Sequence, residues 1–110
     1  MTDNQLTRGK ARRLMYLENK SGTIDGVAAR VGWVTFSKSG LSVFYRGREL
    51  NRIKGGGVSG NYRDAVTGDE YWVSGVKVRG SNTHYAESTK VAVDPDALEA
   101  YKQLRDADAV

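Results

Sequence analysis

Cysteine is absent from the 110 residues, which excludes a disulfide framework and every thiolate metal site. That absence suits a reducing compartment. A lone histidine, His84, leaves no pair of imidazoles for a metal triad. Proline occurs once, against 13 glycines, so the chain is rich in turns and poor in stiff linker. No apolar run approaches the roughly 20 residues that cross a bilayer. The opening residues, MTDNQLTRGKARR, carry charges with no apolar stretch behind them, so no secretory signal is expected. A cytoplasmic protein without membrane contact is the expectation.

What is present describes one folded domain. Apolar residues make up 39% and charged residues 27% of the chain, ordinary values for a globular protein and too apolar for general disorder. A chain of this length supports one modest core. The net charge of +4 is unevenly spread. Residues 1–63 hold 12 Lys/Arg against 4 Asp/Glu, a balance of +8, and residues 64–110 hold 5 against 9, a balance of −4. A basic half points to nucleic acid or another anionic surface. The competing reading is that the acidic half folds back and neutralises it.

Residues 1–12 are polar and aperiodic and read as a flexible basic tail. From residue 13 to about 106 the pattern is of short strands. Leu14-Met15-Tyr16-Leu17-Glu18 is the first, closed by Asn19-Lys20-Ser21-Gly22. Residues 29–36 are rich in β-branched and aromatic residues. They turn at Ser37-Lys38-Ser39-Gly40 into Leu41-Ser42-Val43-Phe44-Tyr45. A loop of even length puts Val34 and Phe36 on one face with Leu41, Val43 and Tyr45. Gly47 bends the chain into a short polar strand over residues 49–53. A second hairpin pairs Tyr62-Arg63-Asp64 with Glu70-Tyr71-Trp72-Val73 through a turn at Thr67-Gly68. Residues 76–78 and 90–93 are the last strand candidates.

Asp94-Pro95-Asp96 is a helix start: an N-cap, a proline suited to the first helical position, and an acidic residue complementing the dipole. The helix over 97–105 shares one face among Ala97, Tyr101 and Leu104, with Leu98 docking on the sheet. The fold expected is mainly β: a small, strongly bent antiparallel sheet or an SH3-like partly open barrel, with one C-terminal helix from about residue 95 covering an open edge or end.

Several residue sets invite a chemical reading. Lys54-Gly55-Gly56-Gly57-Val58-Ser59-Gly60 lacks both the Gly-Lys-Ser/Thr ending and the following helix of a nucleotide-binding phosphate loop. It reads as a crossing between strands, with a backbone nest for an anion as the alternative. Asp64, Asp69 and Glu70 cluster at a hairpin turn, where few ligands converge on a cation. Ser81, His84 and Glu87 have no nucleophile elbow around them. No metal or cofactor is expected.

The strongest lead is the basic and aromatic run Tyr45-Arg46-Gly47-Arg48, Arg52, Lys54, Tyr62 and Arg63. Cations neutralise phosphates while exposed rings stack on bases, a combination that small barrels present. Arg8, Lys10, Arg12 and Arg13 in the tail extend it. On the other reading Tyr45 points inward, and Arg46 and Arg48 decorate a solvated edge.

Four segments, besides the helix beginning at Asp94-Pro95, are similar to a family of small uncharacterised bacterial proteins. They are Leu14-Met15-Tyr16-Leu17-Glu18-Asn19-Lys20-Ser21-Gly22, Gly32-Trp33-Val34-Thr35-Phe36-Ser37-Lys38-Ser39-Gly40, Phe44-Tyr45-Arg46-Gly47-Arg48, and the stretch from Asn61-Tyr62 through Thr67-Gly68-Asp69-Glu70-Tyr71-Trp72-Val73-Ser74-Gly75. The resemblance implies a bacterial origin and a compact domain. Some members are labelled 1-deoxy-D-xylulose-5-phosphate synthase, whose cofactor and two substrate sites 110 residues cannot house. The family supplies no catalytic residues.

The expected function is therefore a non-enzymatic binding module. Nucleic acid would bind through Arg46, Arg48, Arg52, Lys54, Tyr62 and Arg63. The alternative is a protein–protein or regulatory domain, and the third reading is a small enzyme acting on an anionic substrate through Arg46, Arg48 and the glycine loop.

Overall fold

The structure, a computed structural model, describes residues 11–55, 59–76 and 91–109. Seven strands run in the order β1 (Arg13–Asn19), β2 (Ala29–Phe36), β3 (Ser42–Tyr45), β4 (Arg48–Arg52), β5 (Tyr62–Asp64), β6 (Glu70–Gly75) and β7 (Val91–Val93). A 3₁₀ turn, Pro95–Ala97, leads into helix α1 (Leu98–Ala109). Mostly β with one C-terminal helix is what the residue pattern predicts.

The sheet closes on itself. β1 pairs antiparallel with β6 along one edge and with β2 along the other, so six strands form a complete barrel. β2 is long enough to divide its second edge: Thr35 and Phe36 pair with β3, and Ala29 to Val31 pair in parallel with β7. Closure satisfies strand edges that an open sheet leaves unpaired.

Alternation along the strands makes two apolar layers. Inside the barrel Leu17, Ile24, Val34, Val43, Tyr45, Leu50, Tyr62, Tyr71 and Val73 form the core. On the outside, Tyr16, Ala29 and Val31 pack beneath Val91, Val93 and Tyr101. The β2–β3 register matches the even-loop expectation, with Phe36 opposite Val43. Leu41 departs from it: it lies in the turn, 59% exposed, because pairing ends at Ser42. The second hairpin pairs Tyr62 with Tyr71 and Arg63 with Glu70, as its turn chemistry predicts.

The helix start differs from the sequence expectation. Asp94 makes no side-chain cap, and the chain enters α1 through the 3₁₀ turn. The Asp94 carboxylate is drawn away by stronger charge-assisted partners: the Tyr45 hydroxyl donates to it at 2.5 Å and Arg30 at 3.1 Å. Leu98 is 42% exposed and does not dock. Ala97 and Tyr101 make the contact instead, one buried and one packed on the outer layer. The helix runs to Ala109, past the expected end at 105. Its first turns lie along the outside of β2, where the Trp33 indole donates to the Asp96 carbonyl at 3.0 Å, rather than over an open edge or end. Among the described residues no helix is long and apolar enough to cross a membrane. The candidate strand at 76–78 and the Ser81, His84 and Glu87 set fall largely or wholly outside the described residues.

Candidate functional site

Strand β4 organises the charges. Arg48, Leu50 and Arg52 alternate onto its inward face, with Leu50 buried at the centre of the core. Four residues of strand separate Arg48 from Arg52 by about 13 Å, so the two guanidinium groups belong to opposite ends of the barrel.

At the Arg48 end, the cations are already paired. Two tight turns face each other there: Asp25-Gly26, with φ of 50° and 97°, and Arg46-Gly47, with φ of 48° and 79°. Two successive positive φ values are the signature of a type I′ turn, whose twist suits a two-residue hairpin. Asp25 bridges the pair, accepting from Arg46 Nε at 2.8 Å and from Arg48 at 2.7 Å. These bonds, Arg48's foremost, hold the Asp25 carboxyl down at about 2. Arg30 completes the clamp by donating to the Ile24 and Asp25 carbonyls, each at 2.8 Å. Asp94, buried beside them, pairs with Arg30 and, at 3.4 Å, with Arg46. Burial first, then the bond to Asp94, pushes the Tyr45 phenol far above its ordinary pKa. Tyr45 thus points inward, as the second reading of the sequence has it.

The opposite end is chemically different. Arg13, Lys38 and Arg52 line one concavity of about 590 Å3 together with Phe36 and Tyr62, and among the described residues no carboxylate lines it. None of the three cations has an acidic group within ion-pair distance among the described residues. Arg13 lies over the Phe36 ring at 5.4 Å and Arg52 over the Tyr62 ring at 5.7 Å, contacts within cation–π range that hold both guanidinium groups in place. The turn Lys38-Ser39 supplies polar groups at the rim. Ser37 closes the turn, accepting from the Gly40 amide through its carbonyl and from the Ser42 amide through Oγ.

The six sequence candidates therefore separate. Arg52 and Tyr62 meet at the mouth, and Lys54 is exposed in the turn that follows β4 on the same side. Arg46 and Arg48 lie at the far end, held by Asp25. Arg63 faces outward from β5 and pairs with Glu70 at 3.5 Å. Tyr62 is 4% exposed and donates its hydroxyl to the Gly40 carbonyl, so its ring supports Arg52 and offers no face to a base. Arg13 and Lys38 complete the mouth. Arg13 reads in the sequence as a tail cation, whereas the structure makes it the first residue of β1. Lys38 has no local signal, and only the turn's position relative to Phe36 brings it in.

The glycine-rich loop has an anion of its own. The amides of Ser59 and Gly60 each donate to Glu70 Oε1 at 2.9 Å, so this backbone nest is filled by a side chain of the protein. The neighbouring acids are also engaged: Asp64 accepts from the Val66 and Thr67 amides, and Asp69 from the Asn19 side chain. Arg46, Arg48 and the glycine loop sit at opposite ends of β4 and form no common site. Comparison of the chain with protein-family models, with curated proteins and with solved structures returns no match.

Proposed function

We propose that this protein is a non-enzymatic binding module that takes the phosphates of single-stranded nucleic acid at the cationic mouth of its barrel. The observation that supports this is the gathering of Arg13, Lys38 and Arg52 around one concavity with no carboxylate among the described residues of its lining. Three like charges in one concavity repel, and a phosphate chain relieves that repulsion while releasing its condensed counterions. The guanidinium groups are pre-positioned on Phe36 and Tyr62, which lowers the ordering cost of binding. A bacterial cytoplasm is the setting this reading assigns.

The experiment is a salt titration of binding to a labelled single-stranded oligonucleotide. Three phosphate contacts give a slope of about −2 in log affinity against log salt. Replacing Lys38 and Arg52 by Gln flattens the slope to about −0.7. Arg63→Gln, on the outer face, leaves it unchanged. Absence of binding at low salt overturns the reading in favour of a protein partner, whose apolar contacts survive salt.

A further inference from the structure

Arg52 stands between the mouth and a second concavity. Beyond it, on the side away from the mouth, a groove of about 680 Å3 lies between the β2–β3 turn, the end of β4 and the start of β5. That volume is within the range of ligand sites. Its chemistry differs from that of the mouth. Leu41 and Ile53 give it an apolar surface, Arg52 and Lys54 stand at its edge, and among the described residues no carboxylate lines it. Leu41 is the more exposed of these apolar groups, held out by the turn that removes it from the core. The polar side chains of the groove are ordered from behind. Asn51 Oδ1 accepts from the Ser42 hydroxyl at 2.7 Å. Asn61 is held by the backbone of Val73, to which it donates and from which it accepts at 2.9 Å.

We propose that this groove is the base subsite of the same interface. A nucleotide whose phosphate occupies the mouth lays its base across Leu41 and Ile53, with the Arg52 guanidinium between the two. The inference rests on the phosphate-binding reading of the mouth. Three features select this occupant: the groove is continuous with the cationic mouth through Arg52, its remaining charge is positive, and its floor is apolar. A nucleotide joins an anionic backbone to a flat ring with apolar faces, which matches that sequence of surfaces. Sequence-tolerant binding follows, because the floor offers contact to the ring face common to all bases.

The test compares a labelled thymidine decamer with an abasic decamer of the same length and charge, by fluorescence anisotropy at low salt. The thymidine decamer binds about fivefold tighter than the abasic one, with the same salt slope. Leu41→Ala brings that ratio to within about twofold, the melting temperature being unchanged because the side chain is largely exposed. Equal affinity of the two probes overturns the groove assignment and leaves the mouth standing. A wild-type ratio retained in Leu41→Ala also overturns it. Failure of both probes to bind overturns the mouth and the groove together, as does tighter binding of an acidic peptide of equal charge.

Discussion

Tyr45 and Asp94, 49 positions apart in sequence, are joined by a 2.5 Å hydrogen bond from the phenol to the buried carboxylate. Gly32 makes the contact possible. A Cβ at residue 32 would overlap Asp94 Oδ2 and stand 2.8 Å from Tyr45 Cε1. The bond ties β3 to the segment between β7 and the helix, elements that share no strand pairing. Tyr45→Phe should cost about 2 kcal/mol, the usual range for a hydrogen bond to a charged group. Gly32→Ala should cost about 3 kcal/mol, since side chain and backbone must both move. Urea denaturation of both variants measures these losses, and values below about 0.5 kcal/mol would remove the contact from the stability of the fold.

The Asp25 clamp predicts a pH dependence. Its carboxyl titrates at about 2 in the folded protein, below the ordinary value of 3.8. A depressed folded pKa adds stability above the unfolded pKa, and that stability is lost as pH falls through the folded one. The side chain is 41% exposed, so solvent screening reduces the contribution to about 1 kcal/mol. Asp25→Asn keeps a residue that tolerates the positive φ and removes only the charge. The difference in stability between wild type and Asp25→Asn should be constant from pH 7 to about 5, shrink as pH falls through about 2, and vanish only below that. A difference that stays at its neutral-pH size down to pH 2 would assign the effect to the turn rather than the ion pairs.

Leu98 and Tyr101 should behave oppositely. Leu98→Ala changes stability by less than about 0.5 kcal/mol, as exposed sites do. Tyr101→Ala removes a partly buried ring from the outer cluster of Tyr16, Ala29 and Val31 and costs about 1–2 kcal/mol. Thermal melts of the two variants decide whether the helix docks through its tyrosine or through its first leucine.

Glu70 predicts the behaviour of the glycine loop. Glu70→Ala leaves the Ser59 and Gly60 amides without their acceptor, and their hydrogen exchange should quicken about tenfold or more. In the wild type, inorganic phosphate should leave these two amide resonances in place. A phosphate-induced shift at Ser59 or Gly60 would show that the loop exchanges its own carboxylate for an external anion.

The amino-acid sequence by itself determined the class of fold and its local pairings. Residues 29–36 carry the β-branched, alternating pattern of a strand, and Thr67-Gly68 is a turn by its backbone chemistry; both act over a few neighbours and need no partner to be read. Pro95 likewise marks where a helix can begin. What Asp94 does with its carboxylate was settled only by tertiary structure. The cap it could have made competes with Tyr45 and Arg30, which arrive from distant strands with better hydrogen bonds. The same holds for the cations. Arg46, Arg48, Arg52 and Lys54 form one basic run along the chain, but a strand carries its first and last inward residues to opposite ends of a barrel. Asp25, 21 positions upstream, neutralises one end, while Arg13 and Lys38 join the other. Charge along a sequence adds up position by position. Charge at a site depends on which ends of which strands meet, and closure of β1 onto β2 and β6 decided that.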